Sequence, residues 1–212
     1  DKGLPSEEEM LCAVLSGLRT EPSWHERGET SDFFDAKGRL ETVLARCGIE
    51  ASFGVSNDET MFPGRGADVL VGDDRIGVVG ELHPGVAQSF DLAGVVCLME
   101  LDMDKLLRLN AGTGQYRPFA RFPGVTRDIA LVLDEEVSYQ RVESIVRGLP
   151  LVTEATLFDL YRGEQVPAGK KSFAIRIIYQ SPTRTLTDEE ADRIQEQMIG
   201  RLEQEVGAVL RA

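Results

Sequence analysis

In the last ninety or so residues the apolar positions switch between a period of two and a period near 3.6. Arg127 to Leu133, with the apolar run Ile129-Ala-Leu-Val-Leu133, predicts a strand. Ser138 is placed to cap a helix from Tyr139 to Leu149, with Val142, Ile145, Val146 and Leu149 along one stripe. Ala155 to Tyr161 and Ser172 to Tyr179 predict two further strands, joined across the Gly163 to Gly169 turn. Thr187 followed by Glu190 is a capping box, and Ile194, Met198, Leu202 and Val206 line the long helix behind it. Gly207 ends that helix and Ala208 to Leu210 predicts a short last strand. Strand, helix, strand, strand, helix, strand is the order of a split βαβ sandwich with a ferredoxin-like fold. Its helices cover one sheet face, and the other face is free to bind.

The first half mixes both periods over shorter stretches. Met10 to Leu15 predicts a buried strand ending near Gly17. Asp32 is placed to cap a helix over Phe33 to Cys47, stopped by Gly48. Ala67 to Val71 and Ile76 to Leu82 predict strands joined by a hairpin at Gly72 to Arg75. His83-Pro84 leads into a short helix, Gly85 to Phe90, followed by a strand from Val95 to Leu101 and a helix from Met103 to Leu109 that Asp102 caps.

Strand alternation sorts the second half's residues onto two sheet faces. Ile129, Leu131 and Leu133 face the helices, which turns Ala130 and Val132 the other way. Phe158 and Leu160 go to the core, leaving Leu157, Asp159 and Tyr161 outside. Phe173, Ile175 and Ile177 go to the core, leaving Ser172, Ala174, Arg176 and Ile178 outside. The helix-free face thus carries an aromatic ring, a carboxylate, an arginine and small residues. That set suits an unpaired nucleobase: tyrosine offers stacking, and aspartate accepts from the N–H edge of guanine. Packing of Tyr161 on another domain or on Ile178 is the plainer alternative.

Charge sharpens this division. The net charge of −13 argues against non-specific nucleic-acid binding. Residues 1–112 hold 21 acidic and 10 basic side chains, a net of −11, whereas residues 113–212 hold 15 and 13, a net of −2. The second half is the better candidate to meet a phosphate backbone. Asn110-Ala-Gly-Thr-Gly-Gln115 between the halves has linker composition. Cys12, Cys47 and Cys97 are too scattered for a disulfide framework, and His25 and His83 share no ligand spacing with them, so no metal-binding residue is expected. No apolar run approaches the roughly 18 residues that span a membrane. The start, Asp1-Lys-Gly-Leu-Pro5, has no initiator Met and reads as a cut inside a longer chain.

The ordered motifs are specific. Arg121-Phe-Pro-Gly-Val-Thr-Arg-Asp128, Phe158-Asp-Leu-Tyr-Arg-Gly163, Gly169-Lys-Lys-Ser-Phe173 and Arg184-Thr-Leu-Thr-Asp-Glu-Glu190, with Arg211, closely resemble the ferredoxin-fold anticodon-binding domain of bacterial phenylalanyl-tRNA synthetase beta chains. Asp32-Phe-Phe-Asp-Ala-Lys-Gly38, Phe62-Pro-Gly-Arg-Gly-Ala67, Gly80-Glu-Leu-His-Pro84 and Glu100-Leu-Asp-Met-Asp104 resemble the module that precedes it there. The resemblance implies an α+β chain in three parts. Residues 1–112 form a truncated, non-catalytic, antiparallel-sheet module of the class II synthetase type. Residues 113–119 form a linker, and residues 120–212 a ferredoxin-like βαββαβ anticodon-binding domain.

It also implies partners and roles. The whole enzyme is a cytoplasmic (αβ)₂ ligase that charges tRNA-Phe using ATP and Mg²⁺, with catalysis in the alpha subunit. This stretch has no membrane contact, no cofactor of its own and no catalytic residue. In that family a tyrosine platform with carboxylate and small-residue contacts takes guanine at position 34. Those contacts fall here on Tyr161, Asp159 and Ala130. Arg176 is added from the face sorting alone, and Lys170, Lys171 and Arg184 are candidates for phosphate contacts. Arg65 and Arg75 are the nearest candidates for ATP arginines, but each lacks partners suited to a nucleotide. Glu81 and His83 could share a strand face as an acid/base pair, although His83-Pro84 also reads as a structural turn. The competing class is a ferredoxin-like small-molecule regulatory domain beside a non-catalytic scaffold.

Overall fold

The structure, a computed structural model, describes residues 7–25, 27–109 and 121–211. The first five residues and the linker-like stretch 110–119 lie outside the described residues. The chain divides into two compact units, Asp1–Tyr116 and Arg117–Ala212.

Unit one is a five-stranded antiparallel sheet built from β1 (Met10–Ser16), β2 (Ser52–Val55), β3 (Met61–Val71), β4 (Asp74–Leu82) and β5 (Val96–Asp102). Its strand order is β1-β5-β4-β3-β2. Three helices accompany it: α1 (Phe33–Arg46), α2 (Pro84–Ser89) and α3 (Met103–Leu109). Asp32 caps α1 and exchanges hydrogen bonds with Asp35 in a capping box, which satisfies donors the first turn would otherwise leave open. Ala36, Leu40 and Leu44 of α1 bury against Val69, Ile76, Val79 and Leu101 of the sheet. The short β2 carries no alternation and was not legible in the sequence. The expectation of a buried strand at Met10 to Leu15 is corrected: every residue of β1 except Leu15 is exposed. As the terminal strand it pairs with β5 alone, so an apolar run that reads as interior lies at an edge.

Unit two contains β6 (Val125–Asp134), α4 (Tyr139–Arg147), β7 (Val152–Tyr161), β8 (Lys170–Tyr179), α5 (Asp188–Val206) and β9 (Val209–Leu210). The sheet order is β7-β8-β6-β9, and every pairing is antiparallel. This is the ferredoxin-like arrangement the periodicity predicts. Ser138 caps α4, and Thr187 with Glu190 closes the capping box of α5. Gly207, at φ 63°, ends α5 in the left-handed conformation that a side chain disfavours. Val142, Ile145 and Val146 of α4 and Ala191, Met198 and Leu202 of α5 bury against Leu131, Leu133, Ile175 and Ile177. All these contacts lie on one sheet face.

One strand departs from simple alternation. In β7, Leu157 pairs with Ile175, but Asp159 pairs with Ala174, so Phe158 is an extra residue opposite β8. This β-bulge shifts the face parity. Leu157, expected outside, packs against the core, and Phe158, expected in the core, is 52% exposed. Beyond the bulge Leu160 pairs with Phe173 and Tyr161 with Ser172, but Leu160, expected in the core, is 41% exposed and takes no part in the core cluster.

Candidate nucleic-acid interface

The open face is organised in rows across the strands. Asp159 of β7, Ala174 of β8 and Ala130 of β6 share one row. Two small side chains thus lie beside one carboxylate, leaving room for a flat ring above the sheet. The next row holds Tyr161, Ser172 and Val132. The row on the other side holds Thr156, Arg176 and Asp128. The structure therefore brings Ala130, Asp159 and Tyr161 onto adjacent rows of one face, with Arg176 on the row beyond.

Tyr161 is half-buried and held from two sides. The guanidinium of Arg211 lies 5.1 Å from its ring centroid, within cation–π range. Arg211 is itself fixed: its backbone N–H donates to the Ala130 carbonyl at 2.8 Å, and its side chain donates to Gln165 Oε1. The hydroxyl end of Tyr161 lies against Gly163, where an added Cβ would overlap the hydroxyl and come within 2.6 Å of Cζ. Arg211 and Gly163 are thus parts of the site that strand alternation does not assign. Both belong to the quoted motifs, which was the available signal.

The other expected contacts are already engaged. Arg176 donates from Nε and Nη2 to the two Asp128 carboxylate oxygens at 2.8 and 2.7 Å. That pairing holds the Asp128 carboxyl below, and the Arg176 guanidinium above, its ordinary pKa. The Arg176 guanidinium also lies over the Phe158 ring, 5.3 Å from its centroid. Lys170 pairs with Asp134 at 2.7 Å. Arg184 forms two 2.6 Å hydrogen bonds to Glu190 at the start of α5, at the end of β8 away from Ser172 and Tyr161. Such exposed pairs are weak in water.

Lys171 is corrected: it is 7% exposed and turned inward, donating to the Glu135 carbonyl at 2.6 Å, and burial lowers its pKa. Its partner row explains the turn, because Lys171 pairs with Leu133 on the helix side of β6. It has no free ammonium for a phosphate.

In unit one, Glu81 is buried and Arg65 donates to it at 2.7 Å, while Arg75 pairs with Asp68 at 2.9 Å. Both arginines are thus held by carboxylates of their own unit. His83 caps α2, its Nδ1 accepting from the Gly85 N–H at 3.1 Å. A groove of about 450 Å³ is lined by His83, Phe62 and Asp58 but not by Glu81, so the two do not form an acid/base pair in one cavity. Among the described residues, no group of three His, Cys, Asp or Glu side chains is placed to hold a metal ion.

The βαββαβ order with helices on one sheet face defines a ferredoxin-like domain, and its bare face carries a carboxylate, two alanines and a clamped tyrosine. Residues 120–211 match the family described as the ferredoxin-fold anticodon binding domain, and residues 1–103 match the phenylalanyl tRNA synthetase beta chain CLM domain. The chain is 40% identical over 206 residues to the phenylalanine–tRNA ligase beta subunit of Dehalococcoides mccartyi strain CBDB1, covering 97% of this chain and 26% of that one. It is 39% identical over 211 residues to that of Geobacillus kaustophilus, covering 98% and 26%. The Symbiobacterium thermophilum subunit is 38% identical over 212 residues, covering 99% and 24%. The chain belongs to the phenylalanyl-tRNA synthetase beta chain family and spans about a quarter of the length of the curated relatives it matches.

Proposed function

We propose that unit two reads the anticodon of tRNA-Phe, stacking guanine-34 on Tyr161 and accepting its Watson–Crick N–H donors at Asp159. The observation that carries this reading is the Asp159–Ala174–Ala130 row flanked by Tyr161 on one open face. A ring has two faces; Arg211 takes one and the base takes the other. Ala130 and Ala174 admit the base plane close to the sheet. Guanine presents N1–H and the 2-amino group, both donors, to an acceptor-only carboxylate. Adenine presents its N1 acceptor there, which repels the carboxylate. Hydrogen bonds to a charged group contribute about 1.5–3 kcal/mol, roughly 10- to 150-fold in affinity. Lys170 and Arg184 position the backbone by exchanging their carboxylates for phosphates.

The same reading places the chain in a cytoplasmic ligase. An alpha subunit, assembled as (αβ)₂, performs the ATP- and Mg²⁺-dependent aminoacylation, and this stretch contributes binding and scaffold. Unit one, with Glu81 and Arg65 spent on each other, supports subunit packing rather than chemistry.

The reading is tested by titrating the chain with a tRNA-Phe anticodon stem-loop and with the same loop carrying adenine at position 34, at about 50 mM salt because phosphate contacts weaken steeply with salt. Tighter binding of the guanine loop by tenfold or more is expected. Equal affinity for both loops contradicts base reading.

A further inference from the structure

Phe158 is the one large side chain that the bulge in β7 brings to the open face. It shares with Asp159 the position opposite Ala174, and its ring is 52% exposed. A single exposed phenylalanine is ordinary on a protein surface. This one is fixed in place. Arg176 lies over the ring at 5.3 Å, and Arg176 is itself held by two hydrogen bonds to Asp128. One ring face is thus backed by a clamped cation, and exposed ring surface remains for a flat ligand. The arrangement parallels Arg211 on Tyr161, three residues along the same strand, where the centroid distance is 5.1 Å.

We propose that Phe158 is a second stacking platform, taking the unpaired base adjacent to the one on Tyr161. This rests on the anticodon reading given above. The two positions lie roughly 7–10 Å apart along the strand, by the usual strand rise with the bulge between them. Phe158 stands beside the low row of Asp159, Ala174 and Ala130, so the surface is continuous with the proposed base site. Sheets of this kind in other RNA-binding modules stack two or three successive bases on aromatic side chains. Stacking accepts any base, since every base has a π face. Arg176 is neutralised by Asp128 and adds no base reading of its own. Phe158 therefore contributes affinity, and Tyr161 with Asp159 contributes discrimination.

The experiment titrates the chain with tRNA-Phe anticodon stem-loops carrying 2-aminopurine at position 33 or at position 35, reading both affinity and fluorescence. Phe158→Leu keeps the apolar bulk and removes the ring; Phe158→Trp restores a ring; Tyr161→Ala is the parallel control. The wild-type chain is expected to quench one of the two probes. Phe158→Leu should abolish that quench and weaken binding roughly tenfold while keeping the preference for guanine at 34. Phe158→Trp should restore the quench. If Phe158→Leu matches the wild type in quench and affinity while guanine-34 is still preferred, the second platform is overturned and the anticodon reading stands. If the wild-type chain does not distinguish loops altered at 34, the anticodon reading falls and the platform falls with it.

Discussion

Tyr161 illustrates how a few atoms set the geometry of a recognition face. Its ring position depends on Gly163, because any side chain there meets the hydroxyl end of the ring before it meets backbone. Gly163→Ala should therefore swing the ring without breaking the fold. The expected outcome is a roughly tenfold loss of preference for guanine at 34, measured by stem-loop titration, with a thermal midpoint within about 2 °C of wild type, as befits a surface change. Asp159→Asn adds a donor where guanine brings donors, and should narrow the guanine-over-adenine ratio by a similar factor. Ala130, Asp159 and Tyr161 were readable in advance because period-two alternation assigns faces without tertiary knowledge. Phe158 and Leu157 were exchanged because a bulge adds one residue, and nothing local in Leu157-Phe-Asp159 announces it. Arg211 lies 50 positions from Tyr161 in the chain, so no spacing rule connects them.

At the level of elements, α5 is the clearest case of sequence dictating structure. Thr187 and Glu190 satisfy open backbone donors, and Arg184 adds a two-pronged hydrogen bond to the same glutamate. Hydrogen bonds from Arg184 and from the Thr187 backbone lower the Glu190 pKa from its usual 4.5 to about 2. A depressed carboxylate stabilises the fold above its unfolded pKa and loses that contribution as pH falls through the folded value. The thermal midpoint of unit two should thus fall between about pH 4.5 and pH 2, and Glu190→Gln should flatten that fall. Thr187→Ala should cost about 1 kcal/mol at neutral pH, the usual loss for a cap. Caps, the helix stripes and unit two's four strands were legible because each is a local pattern. Edge position was not: β1 looks interior by composition, yet it is exposed because nothing local says which strands become neighbours.

For the whole chain, the acidic balance shapes how binding works. With a net charge of −13, and unit two's described cations mostly in ion pairs, the proposed anticodon reading calls for few phosphate contacts. The salt dependence of stem-loop affinity should be shallow, with a log–log slope of about −1 to −2, as expected for two or three neutralised phosphates on a single strand. A slope steeper than about −4 would point to bulk electrostatic binding instead. Stacking of guanine-34 on Tyr161 is measurable in the assembled ligase. There, kcat/KM for charging tRNA-Phe is compared between wild type and Tyr161→Ala. A loss of roughly tenfold or more is expected, abolished as a difference when position 34 is no longer guanine. A change of less than about twofold with the guanine-34 tRNA contradicts it, since loss of a stacked base is worth about 1–3 kcal/mol.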